Sequence, residues 1–179
     1  DMANDIYEGL SYAIDDLRKY NKLHVIILPT SLYGSLIMVG ITRFCEEYGI
    51  DVAFHYDINE NMMHRGDLYL LLNGQLGVGL VEVARMATCS GLKIGTDVGV
   101  ISYNDSYLSE IILGGLTTVS TDFEQMGRLA AKVWYIRKDA SATGPQARSS
   151  QGLNLPFLVA LVLSQIRPIA VSVKASMIR

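Results

Sequence analysis

Three short apolar runs constrain this chain more than anything else in it. Leu23 to Leu28 reads LHVIIL, Leu68 to Leu72 reads LYLLL, and Val98 to Tyr103 reads VGVISY. None alternates apolar with polar residues, so each predicts a strand covered on both faces. Between them the spacing becomes helical. Ile6, Leu10, Ile14 and Leu17 share one face of a predicted helix over Asn4–Tyr20, with Asn4 as its N-cap. Leu36, Val39, Ile41, Phe44 and Cys45 do the same over Gly34–Tyr48, where Gly49 is the stop. Val52–Tyr56 predicts a short strand, Val78–Cys89 a helix ending near Gly91, Ser106–Leu113 a short helix and Leu116–Ser120 an extended segment. A last helix, Asp122–Ile136, aligns Phe123, Met126, Leu129, Ala130 and Val133, and Asp122 with Gln125 gives it a capping-box pattern. Strands alternating with helices predict an α/β fold: a parallel sheet with helices on both faces.

In such sheets ligands sit beyond the carboxyl ends of the strands. Three loops are expected there, Pro29–Tyr33, Asn73–Gly77 and Tyr103–Ser106, and all carry hydroxyl or amide groups. They supply the candidate ligand-binding residues Ser31, Tyr33, Asn73, Tyr103, Asn104 and Asp105. Asparagine donates and accepts hydrogen bonds at once, which suits the vicinal diol of a sugar. A tyrosine ring can lie against the apolar face of a sugar while its hydroxyl finds a partner. Two readings of Asn104 and Asp105 stand on residue type alone. They face a ligand, or Asp105 caps the helix from Ser106 and Asn104 satisfies turn backbone groups.

Other chemistries find less support. The net charge is −3 with scattered basic residues, so no basic stripe points to a nucleic-acid backbone. Cys45 and Cys89 form no CxxC, which argues against a disulfide framework or zinc module and fits a reducing compartment. His24, His55 and His64 share no metal-ligand spacing. Gly74, Gly77 and Gly79 spell neither a dinucleotide fingerprint nor a phosphate loop. There is no Gly-x-Ser-x-Gly elbow. No apolar run reaches the roughly 18 residues of a membrane span; no secretory signal is visible from Asp1 onward, nor is an initiator Met, as in a fragment.

Ser90 to Ala131, SGLKIGTDVGVISYNDSYLSEIILGGLTTVSTDFEQMGRLAA, resembles the C-terminal part of the lactose-repressor family of sugar-responsive regulators. Leu92, Ile94, Asp97, Tyr103, Leu116-Thr117-Thr118-Val119 and Met126-Gly127 match the family's pattern in order over about forty residues. DIYEGLSYAIDDLRKYNKLHVIIL and GITRFCEEYGI fit more weakly upstream, so the resemblance covers roughly residues 1 to 138. Ser102-Tyr103-Asn104-Asp105 and Ser120-Thr121-Asp122-Phe123 are most similar to the subgroup whose sensor follows a GntR-type winged helix.

The resemblance implies a periplasmic-binding-protein-like sensor of type I: two α/β lobes joined by three crossovers, with the effector in the cleft. Residues 1–121 would be the C-terminal lobe and 122–138 a helix returning to the partner lobe. Ser120, Thr121 and Asp122 would be a crossover hinge. The implied protein is a cytoplasmic, homodimeric bacterial repressor that binds a sugar-like effector, uses no cofactor or metal, catalyses nothing, and reaches DNA through a domain upstream of Asp1. Three positions depart from the family pattern. Asn104 stands where the family has a sugar-contacting Asp, Ile37 falls near a cleft-facing Arg, and Gly95 replaces a Pro. Residues 139–179 do not fit. Lys138–Asn154 looks like a linker or disordered stretch, and Leu155–Arg179 lacks periodicity, as a fragment, a frameshifted tail or a fusion would. The alternatives are a periplasmic sugar-binding protein feeding a transporter, or a sugar-metabolising enzyme on a doubly wound sheet. The enzyme is disfavoured because no acid, base or nucleophile converges on the strand ends.

Overall fold

The computed structural model describes residues 2–27, 34–59, 62–72, 76–105, 109, 111–112, 116–120, 124, 127–132 and 134–135. They fall into two compact units that divide after residue 121. In the first, helices α1 (Met2–Tyr12) and α2 (Ile14–Leu17) lead to β1 (Lys22–Ile26), then α3 (Gly34–Tyr48) and β2 (Asp51–His55). Next come β3 (Asp67–Leu71), α4 (Leu76–Cys89), β4 (Gly99–Tyr103) and β5 (Thr117–Val119). The strands form one sheet in the order β2-β1-β3-β4-β5, and every neighbouring pair is parallel. The predicted α/β fold with helices on both faces is therefore the observed one. In the second unit, residues 124, 127–132 and 134–135 are helical, Glu124 pairs with Arg128 one turn on, and Trp134 and Tyr135 are exposed.

β1, β3 and β4 are mostly apolar because successive side chains supply opposite faces that are both covered, whereas β2 at the edge is exposed or half-buried. Leu23 and Val25 of β1, Leu68 and Leu70 of β3, Ile101 of β4 and Val119 of β5 point into one core with α1, α2 and α3. Ile26, Tyr69, Leu71 and Val100 point into the other, against Leu80, Val83, Met86 and Ala87 of α4. Each helix shows its sheet a stripe at spacings of three and four.

Three expectations need correction. The helix over Asn4–Tyr20 starts earlier and is broken. Asn4 is not its cap but lies inside α1, where its amide donates to Glu8 Oε1 at 2.7 Å. At Ala13 (φ −94°, ψ 5°) the chain leaves α geometry. The Ala13 N–H bonds Leu10 O and the chain restarts as α2, which keeps Leu10, Ala13 and Leu17 all buried. On α3, Leu36 and Val39 are exposed, 48% and 61%, and the buried stripe is Ile37, Gly40, Ile41, Phe44 and Cys45. The stripe's choice rests on Gly40, whose missing side chain admits the backbone of α1 at Ala3. The remaining predicted strands and α4 match to within one or two residues at each end. Most of Ser106–Leu113, and all of residues 139–179, lie outside the described residues.

Candidate functional site

All five strands run the same way, so their carboxyl ends share one edge: Ile26, His55, Leu71, Tyr103 and Val119. The chain passes from β1 outward to β2 and returns to β3 on the opposite side of β1. The topological switch point thus lies between β1 and β3, where a doubly wound sheet opens a crevice. The loops that flank it carry Ser31, Tyr33 and Asn73, which lie outside the described residues, as do Thr121 and Asp122.

Tyr103, Asn104, Asp105 and Ser120 are described and stand together at that edge. Tyr103 ends β4 half-buried, packed against the core on the α1 side. Burial pushes its phenol up from the ordinary value, and the nearby Asp5 carboxylate of α1 adds to the shift. Tyr103 therefore stays a neutral donor. Asn104 takes a left-handed backbone, φ +71°, a conformation asparagine tolerates better than most residues. Its N–H donates to Val119 O at 2.9 Å, and the Asp105 N–H donates to Ser120 Oγ at 2.9 Å. The turn after β4 is thus tied to the end of β5, and a candidate ligand-binding residue is bonded to a candidate hinge residue. Ser102 and Thr118 pair in register just behind this turn and are both buried. Both face the α4 side, so strand alternation was the signal that could have singled them out.

The departures from the resembled pattern have structural counterparts. Ile37 is 5% exposed and part of the core, so α3 brings no charge to that place. Gly95 adopts φ +86°, which a proline ring cannot, and its N–H donates to Val98 O at 2.7 Å. Asp97, one of the matching residues, is a structural clasp. It pairs with Arg65 and accepts the Lys93 N–H at 3.0 Å, while its carbonyl accepts the Gly66 N–H at 2.7 Å. Asp97→Ala is expected to destabilise the lobe by about 1–3 kcal/mol, mostly through the unpaired backbone donor, because Arg65 itself is exposed. Urea unfolding of the variant beside Arg65→Ala, expected to lose under about 1 kcal/mol, checks that division.

An open depression of about 470 Å³ lies along Ser35, Met38, Thr42 and Glu46 of α3, and no residue of the turn after β4 lines it. Among the described residues no three histidine, cysteine or acidic side chains could hold a metal ion. Cys45 is buried, which raises its thiol to about 12 and leaves it unreactive. No helix among the described residues is long and apolar enough to cross a membrane.

Sheet order, switch point and polar turn define a class: a doubly wound lobe built to present groups at its carboxyl edge. A family model for the periplasmic binding protein-like domain matches residues 18–155, well over half of the chain, and the chain belongs to that family. Over 59 residues it is 36% identical to the lactose operon repressor of Escherichia coli (strain K12), a stretch that is 33% of this chain and 16% of that protein. The regulatory protein of the LacI family from Chloroflexus aggregans superposes with a TM-score of 0.53 at 18% identity, over 72% of this chain and 50% of that one. The lac repressor dimer bound to operator and the anti-inducer ONPF gives 0.57 at 19% identity, over 80% and 53%. At such identities the likeness is one of fold, and this chain spans about half the length of those regulators.

Proposed function

We propose that this chain is the effector-binding lobe of a bacterial transcription regulator, and that it binds a sugar or a related small molecule without transforming it. The observation that carries this is the turn Tyr103-Asn104-Asp105, delivered by a central strand to the carboxyl edge and bonded to Ser120. Ser31, Tyr33 and Asn73 are assigned to the same cleft from their loops. Residues 1–121 form the lobe, 122–138 return to a partner lobe, and Ser120, Thr121 and Asp122 hinge the two. Effector binding favours one lobe arrangement by its difference in affinity between arrangements, and a homodimer passes this to DNA-binding heads on another part of the protein. The wording of the turn supports a GntR-type winged-helix head. The solved relatives are regulators, which supports a cytoplasmic repressor over a transport protein.

A neutral sugar fits because Asn104 offers a donor and an acceptor where a carboxylate would bring charge. A single lobe holds half of a cleft, so NMR shift mapping with monosaccharides and disaccharides is the suitable test. At least one sugar is expected to move the amides of Asn104, Asp105 and Ser120. If every sugar leaves them still, or shifts fall on another face, the reading is wrong. Asn104→Gly isolates the side chain, since glycine removes the amide and accepts φ +71° without strain. It is expected to weaken sugar binding at least about tenfold, the loss of one to two hydrogen bonds, while changing stability by under about 1 kcal/mol. Undiminished binding would leave Asn104 as a turn residue only.

A further inference from the structure

The protein's three histidines form a chain of contacts on the α4 side of the sheet: His24 and His64 each approach Asp67, and His55 lies against His24. His24 of β1 is 6% exposed and Asp67 of β3 is 5% exposed. His24 Nδ1 lies 3.0 Å from His55 Nε2 on β2, with the two ring planes 22° apart. His24 Nε2 lies 3.5 Å from Asp67 Oδ2 and makes no well-formed hydrogen bond among the described residues. Tyr69 stacks on the other side of His24, centroids 5.0 Å apart. Asp67 also accepts the His64 N–H at 2.7 Å, with the exposed His64 ring 3.5 Å away. Lys22 on β1 is the other cation, 3.2 Å from Asp51. From α4 this face receives apolar Leu80, Val83, Met86 and Ala87, while Glu82 and Arg85 pair with each other at the surface.

We propose that the His24–His55 pair is a proton-operated catch that holds the edge strand β2 to the sheet near neutral pH and releases it in mild acid. The Asp67 carboxylate faces His24 Nε2 at 3.5 Å and favours the His24 proton there, which leaves Nδ1 to accept from His55 Nε2–H. A first solvent proton goes to the remaining nitrogen of His55, and the bond survives. A second has only His24 Nδ1 to go to. There it meets the His55 N–H across 3.0 Å, the bond is lost, and two imidazolium rings adjoin with only His24 beside a carboxylate. Burial lowers the affinity of both rings for protons. Asp67 opposes this at His24, while His55 and Lys22 reinforce it there, and Lys22 reinforces it at His55. Folded values below about 6.5 mean that the open strand binds more protons than the closed one, so closure is complete above that pH and is lost as pH falls below it.

The strand concerned is an edge strand with one pairing partner. β2 sits at the edge, its residues are exposed or half-buried, and β1 is its neighbour. The His55 carbonyl also accepts the Ile27 N–H at 2.8 Å, so release reaches the residue that leaves β1 for the switch-point loop.

Amide hydrogen exchange of the 179-residue chain, corrected for intrinsic rates, reads the catch directly. With one more proton bound when open, protection of the β2 amides and of Ile27 is expected to fall about tenfold between pH 6 and pH 5, while β3 and β4 hold. His55→Gln keeps a donor for His24 and can turn its oxygen to an imidazolium paired with Asp67, so the fall should shrink below about threefold. His64→Gln should leave it intact. Ring-proton titration of the unaltered chain should show His24 and His55 sharing a two-step curve. Flat β2 protection, equal loss in every strand, an unchanged fall in His55→Gln, its disappearance in His64→Gln, or independent single-step titrations near 6.5 would each overturn the catch.

Discussion

Tyr69→Ala is expected to lower the unfolding free energy of this chain by about 3–5 kcal/mol. Among the described residues Tyr69 is the largest fully buried side chain, and it belongs to the core between β3 and α4. Truncation leaves a cavity that the surrounding Leu71, Val83, Met86 and Val98 cannot close without moving the sheet. It also removes the hydroxyl that donates to Met62 O at 2.9 Å, and the ring that stacks on His24. Burial raises the Tyr69 phenol far above its ordinary value, so this donor is neutral at every working pH. Tyr69→Phe retains the volume and loses the bond, and should destabilise by only about 1 kcal/mol. Urea unfolding with an unchanged m-value measures both. If Phe were as damaging as Ala, the hydroxyl rather than the packing would hold this core together.

Gly40→Ala is expected to cost about 2–3 kcal/mol, although alanine is the better helix former by about 1 kcal/mol. A Cβ at Gly40 would run into the Ala3 carbonyl, 2.8 Å from its carbon and 2.5 Å from Ile6 Cγ2. The obstacle is backbone, so no rotamer change relieves it and α1 must withdraw from α3. That movement opens the core around Ile6, Leu10, Ile41 and Phe44. Thermal unfolding should show a lowered midpoint. A Gly40→Ala variant at or above the stability of the unaltered chain would mean that α1 does not lie on α3 as described.

The strands were legible because burial on both faces leaves a local signature. Runs such as LHVIIL and LYLLL need no partner information to be read, and their placement held to within a residue or two. Helix faces were less legible. Leu36, Val39, Ile41 and Phe44 all fit one stripe by type, but the contact with α1 turns on Gly40, a residue that periodic hydrophobicity does not count. The Asn4 cap failed for a related reason, since packing of Ala3 against α3 extends the helix past a good capping residue. At the carboxyl edge, the cluster Tyr103-Asn104-Asp105 could be seen in sequence. Its tie to Ser120 could not, because the partner lies fifteen residues on, across a strand pairing.

What the sequence determined by itself was the kind of layer: apolar runs too uniform for a one-sided sheet, separated by stretches with a helical period, can bury themselves only as a parallel sheet covered twice. What only tertiary structure decided was which distant residues became neighbours. Histidines at positions 24, 55 and 64 share no spacing, yet the order β2-β1-β3 places two of them 3.0 Å apart and brings His24 as well as His64 to Asp67. Local pattern reports how a segment meets an apolar environment, whereas strand order and register decide which side chains share that environment, and the electrostatics follow from the second.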